Sequence, residues 1–156
     1  MSLDDRAKNY FNSGYNCAES VLLALAQEPF FKGGDFASAL PRVATGFGGG
    51  LARNGLICGA LSGGIMALGL MLGRNQAKES RDPCYPAVDR LVKDFQERFG
   101  SIHCRDISRV DLKTEEGRRR YQQMVHLEIC NPVVAWSALR AREIIAQYAG
   151  GIRGLA

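Results

Sequence analysis

Residues 56–73 read Leu-Ile-Cys-Gly-Ala-Leu-Ser-Gly-Gly-Ile-Met-Ala-Leu-Gly-Leu-Met-Leu-Gly, an uncharged stretch bracketed by Arg53 and Arg74. The stretch is eighteen residues long, which reaches the lower limit for a helix that crosses a membrane. Five of its residues are glycine, however, and no aromatic residues flank it in the way that anchors a membrane span. It therefore predicts a fully buried helix at the centre of an all-α fold.

Glycine recurs every four residues at the start of this stretch, at Gly55, Gly59 and Gly63. Residues four apart share one face of a helix, so these glycines form a smooth ridge. Each glycine costs a helix about 1 kcal/mol relative to alanine, so several on one face indicate that something approaches closely there. Either another backbone or a bound group fits this pattern, and Gly59 and Gly63 are candidate cofactor contacts.

Helical periodicity also dominates the rest of the chain. Further helices are predicted after the N-cap Ser2, over residues 16–27, 36–44, 88–99 and 115–130, and after Asn131-Pro132 as N-cap and first helical residue. Residues 46–50 predict a glycine turn with positive φ, and residues 101–113 predict an irregular connection. These elements predict a single-domain helical bundle, residues 1–156, of about six to seven helices around the glycine-rich helix.

The amino-acid composition restricts the kinds of function that the protein can have. The chain has 156 residues, 46% of them hydrophobic, and a net charge of +4, as in an ordinary globular protein. Its densest basic run, Arg118-Arg119-Arg120, favours a solvated helix face over an anionic partner, and we predict no nucleic-acid binding. The N-terminus lacks a basic segment followed by an apolar one, which predicts a cytoplasmic protein. Five cysteines in that reducing compartment indicate buried, metal-binding or redox thiols.

Two cysteines have sequence neighbours that suit a reactive thiol. Cys58 lies near the start of the glycine-rich helix and close to Arg53, so the helix dipole and the cation should favour its thiolate. Cys104 lies between His103 and Arg105, again a cationic setting. A structural role as a small buried residue is an equally good interpretation of Cys58.

The other three cysteines are more ambiguous. His126 is four residues before Cys130, so the two could be metal ligands or base and nucleophile, although a structural pair is the simpler interpretation. Cys17 lies on the apolar stripe of its helix, where core packing and function are about equally plausible. Cys84, between two prolines, is predicted to lie in a loop and to be a spare.

The cysteine motifs together resemble the C_GCAxxG_C_C family, redox-active proteins with four separated cysteines and a Cys-Gly-Ala-x-x-Gly motif. The segments that carry the resemblance are Ser13-Gly14-Tyr15-Asn16-Cys17-Ala18-Glu19-Ser20-Val21-Leu22, Cys58-Gly59-Ala60-Leu61-Ser62-Gly63, Phe99-Gly100-Ser101-Ile102-His103-Cys104-Arg105, and Cys130. The resemblance implies that Cys17, Cys58, Cys104 and Cys130 form the site. Cys84 lies outside the pattern.

Three functions follow as hypotheses. The first is thiol–disulfide exchange or electron transfer by the four cysteines, with a redox partner that the sequence does not identify. The second is a metal-binding or iron–sulfur module ligated by Cys17, Cys58, Cys104 and Cys130, with His126 or His103 as an alternate ligand. The third is a helical assembly protein, a homo-oligomer included, in which the glycine ridge packs on another subunit and the cysteines are structural.

Overall fold

A computed structural model describes residues 1–32 and 34–149, and over those ranges the chain is helical and contains no β-strand. The α-helices are α1 (Leu3–Asn12), α2 (Cys17–Ala26), α3 (Gly59–Leu72), α4 (Cys84–Phe99), α5 (Cys104–Ser108), α6 (Glu115–Arg120) and α7 (Asn131–Ala149). A π-helix, Tyr121–Cys130, joins α6 to α7, and short 3₁₀ turns occupy Pro29–Phe31, Asp35–Ala39 and Arg42–Phe47. The predicted all-α fold is confirmed.

The glycine-rich helix α3 lies at the centre and packs against α2, α4 and α7. The predicted central helix is therefore confirmed, but it is not fully buried, because Gly69 and Leu70 are exposed. It begins at Gly59, and Cys58 is its N-cap. The chain before it is extended, because the amide of Cys58 donates to the Ile102 carbonyl at 2.8 Å. Within residues 1–32 and 34–149, none of the helices has the length and apolar character needed to cross a membrane.

The glycines of α3 let neighbouring helices approach its backbone. A Cβ on Gly63 would lie 2.5 Å from the Ala18 carbonyl oxygen in α2, so only glycine fits there. A Cβ on Gly64 would lie 3.0 Å from Cδ2 of the Leu91 side chain in α4. The glycine ridge was predicted to admit either another backbone or a bound group. At Gly63 it admits another backbone, that of α2 in the same chain. Gly55 lies outside α3, in a turn with φ +70°.

The predicted helix starts at Ser2, Asn16 and Thr114 are confirmed by their side-chain caps. Asn16 matters most for the site, since it directly precedes Cys17. Its Oδ1 accepts the amide of Glu19 at 3.0 Å, and the Glu19 carboxylate accepts the amide of Asn16 at 2.9 Å. This reciprocal capping box fixes where α2 begins and therefore where Cys17 lies.

Three predictions for the connecting segments differ from the structure. Residues 36–44 were predicted as a weak helix interrupted or started by Pro41. They form parts of two 3₁₀ turns that are separated at Pro41, as that interruption predicts, because proline has no amide hydrogen to continue a helix. The irregular segment 101–113 contains the short helix α5, whose turn is closed by the Ile107 amide on the His103 carbonyl at 3.1 Å. Cys84 is likewise the first residue of α4 and not part of a loop.

The α-helix α7 begins at Asn131 as predicted, but Asn131 is not an N-cap, because residues 115–149 form one continuous helical rod. Asn131 is itself helical, at φ −56° and ψ −50°, and its amide donates to the carbonyl of His126, five residues earlier. That bonding pattern is the wide π turn. The wider turn accommodates the Pro132 ring, which would clash with the carbonyl four residues earlier in a regular α-helix.

Candidate redox site

A pocket of about 650 Å³ brings together four of the five cysteines. Its lining includes Cys17, Cys58, Cys104 and Cys130, the residues that the sequence motifs single out. Cys84 is not among the lining residues. All five thiols, each within the described part of the chain, are free of disulfide bonds. The pocket is therefore a candidate redox site assembled from residues that are far apart in sequence.

Each cysteine occupies the end of a helical element. Cys17 is the first residue of α2, Cys58 caps α3, Cys104 opens α5, and Cys130 ends the π-helix. A short antiparallel pairing between the segments before α3 and α5 fixes two of them relative to each other. In addition to the Cys58 amide bond to Ile102, the amide of Cys104 donates to the Leu56 carbonyl at 2.6 Å.

Cys17 has the most elaborate surroundings of the four thiols. The backbone amides of Gly49, Ala18 and Gly59, together with its own, are placed to donate to its sulfur, and each lowers the pKa of the thiol. Gly59 is essential to this contact. A Cβ on Gly59 would overlap Cys17 Sγ and would lie 2.8 Å from the Phe47 carbonyl oxygen. The first glycine of the Cys-Gly-Ala-x-x-Gly motif thus makes room for the sulfur of another cysteine.

Burial raises the pKa of all four thiols above the ordinary value of 9.0. The pKa of Cys104 rises to about 11, and those of Cys58 and Cys130 rise well above their usual range. After burial, the strongest charge effect on each of these three is a negative charge on Cys17, which raises their pKa values further. A charge on Cys17 thus acts on each of the other three thiols, which makes Cys17 the central thiol of the pocket.

These pKa directions overturn two expectations from the sequence. Cys58 was expected to favour its thiolate, but its side chain is only 7% exposed, and desolvation raises its pKa more than its helix amides lower it. Cys104 was expected to gain from its cationic neighbours. Arg105 does lower the pKa of Cys104, but that effect is smaller than the effect of burial.

His126 and Tyr121 complete one wall of the pocket. The Tyr121 hydroxyl lies 3.1 Å from His126 Nδ1, while His126 Nε2 lies 2.9 Å from Asn12 Oδ1 and the ring stacks on Phe11. Burial lowers the pKa of His126, so its ring is neutral at pH 7, and burial raises the pKa of Tyr121. Both ring nitrogens already have partners, so the roles of His126 as a ligand or base stay predictions. Tyr121 carries no sequence signal and was not anticipated.

Other predicted ligands are placed as follows. His103 is exposed beside Ser101 and Asp106 and does not line the pocket. Over the described residues, no three His, Cys, Asp or Glu side chains are grouped closely enough to hold a metal ion. Gly59 contacts Cys17 and Gly63 contacts α2. Metal ligation by the four cysteines and cofactor contact by these glycines stay predictions.

A left-handed backbone segment forms another wall. Gly49, Gly50, Leu51, Ala52 and Arg53 have consecutive φ values of +64°, +66°, +63°, +50° and +68°. The predicted glycine turn is confirmed at Gly49 and Gly50, but its extension through three residues with side chains was not anticipated. This conformation costs roughly 1–2 kcal/mol for each non-glycine residue. Such strain collects at functional sites, and Gly49, Ala52 and Arg53 line the pocket.

The raised thiol pKa values predict slow alkylation of the folded, reduced protein. Only the thiolate reacts, so the pocket cysteines should react with iodoacetamide at pH 7 at least tenfold more slowly than in the denatured chain. For Cys104 the rate should rise about tenfold per pH unit up to a pH of about 11. Residue-resolved mass spectrometry measures these rates. Equal rates in folded and denatured protein would contradict the pKa directions.

Comparison with known proteins gives this site a family. A family described as "Putative redox-active protein (C_GCAxxG_C_C)" matches residues 15–144, which include all four pocket cysteines. An "Uncharacterized protein" of Archaeoglobus fulgidus is 32% identical over 129 residues, covering 77% of this chain and 83% of that protein. No solved structure matches the chain. On the matches to its sequence, the chain belongs to the C_GCAxxG_C_C family.

Proposed function

We propose that the pocket is a thiol–disulfide redox centre in which Cys17 is the nucleophile and Cys58 the resolving thiol. The observation that carries the proposal is the position of Cys17. It shares one pocket with three other thiols, and a charge on it raises the pKa of each of them. A thiol that shares a pocket with three other thiols is suited to form a disulfide with one of them.

The surroundings of Cys17 support its role as nucleophile. Burial raises the pKa of the Cys17 thiol, but the backbone amides of Gly49, Ala18 and Gly59, together with its own, act to lower it and would stabilise the thiolate. Gly59 touches Cys17 Sγ and directly follows Cys58, which makes Cys58 the natural second thiol. In the oxidising direction, the two thiols give up two electrons and two protons to an acceptor and form one sulfur–sulfur bond.

The test is a thiol count before and after mild oxidation. Diamide is a small neutral oxidant that takes up two electrons and two protons from a pair of thiols. Denaturing titration of the reduced protein should give five thiols, and titration after diamide should give two fewer. Peptide mapping should find the bond between Cys17 and Cys58.

Two variants sharpen this test. Cys17→Ser should keep all its remaining thiols after diamide, while Cys84→Ser, whose residue lies outside the pocket, should still lose two. Five thiols in the native sequence both before and after oxidation would refute the proposal. Loss of two thiols in Cys17→Ser would refute the role of Cys17.

A second candidate function is a metal or iron–sulfur centre on the same cysteines. The observation in its favour is the mutual repulsion of the thiolates, since a bound cation would offset the charge that raises their pKa values. Cys17, Cys58, Cys104 and Cys130 would have to move closer together to hold it, because no three described His, Cys, Asp or Glu side chains are grouped closely enough for a metal ion. If the group were a cluster, it would supply one-electron chemistry. Metal analysis and a visible spectrum of anaerobically purified protein decide. A colourless, metal-free, folded sample removes this candidate.

The assembly hypothesis loses its main support, since Gly59, Gly63 and Gly64 contact side chains and backbone of the same chain. Homo-oligomerisation stays a prediction that sedimentation would test. Within the proposal, the protein acts in the cytoplasm, where a reducing environment returns the disulfide to two thiols.

A further inference from the structure

We infer that the pocket takes a small anionic disulfide as its substrate, one whose negative groups contact Arg53 and Arg118. This inference rests on the proposed thiol–disulfide function and adds the substrate class. It is carried by the size of the pocket, by its charge and by the backbone that holds Arg53.

The position of the thiols favours a small molecule over a protein. Cys58 is only 7% exposed, and all four thiols line a cavity of about 650 Å³ instead of projecting from the surface. Cavities of this size are typical of small-molecule sites. A disulfide in a folded protein would have to push its backbone into the cavity, whereas a small disulfide can enter whole.

The charges on the pocket favour an anion. Arg53 and Arg118 line it, and no Asp or Glu does so in the described ranges 1–32 and 34–149. The acidic residue Glu19 lies beside the lining residue Thr45, but its carboxylate already accepts the Thr45 hydroxyl at 2.6 Å and the Asn16 amide at 2.9 Å. An anionic ligand would therefore contact two cationic side chains, and no carboxylate among the described lining residues would repel it.

Neither arginine is neutralised by a carboxylate partner among the residues that the structure describes. Arg118 Nη1 donates to the carbonyls of Leu112 and Lys113 at 3.1 and 2.8 Å, which fixes the side chain but leaves its charge uncompensated. Of the run Arg118-Arg119-Arg120, only Arg118 lines the pocket. For this basic run the sequence favours a solvated helix face over an anionic partner. Because Arg118 lines the pocket, an anion nevertheless has a place to bind there.

The backbone conformation of Arg53 also supports a role for its side chain in the pocket. Arg53 ends the left-handed segment at φ +68°, a conformation that glycine would adopt at lower cost. Its amide is held by the Gly48 carbonyl at 3.2 Å, and Gly48 lines the pocket too. Backbone strain of this kind collects at functional sites, which supports a function for the Arg53 side chain in the pocket.

The reaction balances as one round of exchange. The Cys17 thiolate attacks one sulfur of the ligand, which forms a mixed disulfide and releases one half of the ligand as a thiolate. The Cys58 thiolate then attacks Cys17 Sγ and releases the other half. Two protein thiols are oxidised to a disulfide, the ligand disulfide is reduced to two thiols, and the protons of Cys17 and Cys58 pass to the products.

Three small disulfides of similar size test the inference. Dithiodipropionate carries two carboxylates, hydroxyethyl disulfide is neutral, and cystamine carries two ammonium groups. Each is mixed with the reduced protein at low ionic strength, and the rate is divided by the rate with the denatured chain to remove intrinsic reactivity. We expect dithiodipropionate to react at least tenfold faster than the neutral disulfide, and cystamine to react slowest.

Arg53→Gln should reduce the advantage of dithiodipropionate by roughly tenfold, as expected for loss of one charge-assisted contact. The exposed Arg53 side chain makes this variant safe for folding. The matched control is Arg119→Gln, which removes the same charge next to Arg118 but outside the pocket, and it should leave the rates unchanged.

The outcomes separate this inference from the proposed function. If diamide oxidises two thiols but the three disulfides react at equal normalised rates, the anionic substrate class is wrong and the redox function stands. If neither diamide nor any disulfide oxidises the thiols, the proposed function is wrong. A disulfide-bonded protein such as insulin reacting faster than all three small disulfides would overturn the inference in favour of a protein substrate.

Discussion

Gly59→Ala is expected to destabilise the protein by about 3 kcal/mol and to abolish the selective oxidation of Cys17 and Cys58. The added Cβ would overlap Cys17 Sγ and would press on the Phe47 carbonyl oxygen at 2.8 Å. The carbonyl belongs to the backbone and cannot rotate away, so either α3 or Cys17 must move. Urea unfolding measures the loss of stability, and the thiol count after diamide measures the loss of the site.

Gly69→Ala in the same helix is the matched control. Gly69 is exposed, and a Cβ there would have no neighbouring atom within 4 Å. The variant should therefore be about 0.5–1 kcal/mol more stable than the native sequence, because alanine is the better helix former. If Gly59→Ala unfolds at the same urea concentration as the native chain and loses two thiols to diamide, the close contact with Cys17 is wrong.

Raising the pH from 9 to 11 is expected to destabilise the reduced protein by about 1–2 kcal/mol through Cys104 alone. The pKa of Cys104 is about 11 in the folded chain against an ordinary 9.0, so the folded state binds more protons in this interval. Stability is then fully present below pH 9 and falls as the pH rises towards 11. For a pKa of about 11 against 9.0, the loss between pH 9 and 11 is about 1.9 kcal/mol, and we reduce that figure because Cys104 is partly exposed.

Cys104→Ser provides the test of this alkaline loss, measured by urea unfolding at both pH values under reducing conditions. This variant should remove most of the loss of stability that is due to Cys104. Burial raises the pKa of Cys84 too, so Cys84→Ser should also reduce the loss, but by less, because Cys84 lies outside the pocket. Oxidised protein should also lose less, because a disulfide does not titrate. An equal loss in native, Cys104→Ser and oxidised protein would mean that the pocket thiols do not control alkaline stability.

Much of the fold could be predicted because its signals are local. The caps at Ser2, Asn16 and Thr114 are short patterns, and they lie where the sequence indicates. The uncharged stretch at 56–73 predicts a buried helix, and α3 does lie at the centre of the fold. The prediction that the ridge glycines admit a close neighbour also agrees with the contact of Gly63 and Ala18.

The features that were missed depend on contacts between distant residues. Nothing in the sequence around Leu51 indicates that side-chain-bearing residues continue a left-handed turn. Pro132 suggested a helix start, because local rules do not anticipate the π-helix that accommodates its ring. Cys58 was favoured as the central thiol from its neighbours in sequence, whereas the central position of Cys17 follows from packing that joins α2, α3 and the 49–53 segment.

The pocket takes one wall from α2, near the start of the chain, and another from the π-helix that ends at Cys130. A growing chain leaves the ribosome N-terminus first, so Cys17 and Cys58 emerge well before the rod that closes the cavity over them. Until that rod has folded against the rest of the chain, burial cannot raise the pKa of these thiols as it does in the folded protein, so their thiolates form more readily. The nascent chain is thus the form most exposed to wrong disulfides, and completion of the C-terminal rod protects it.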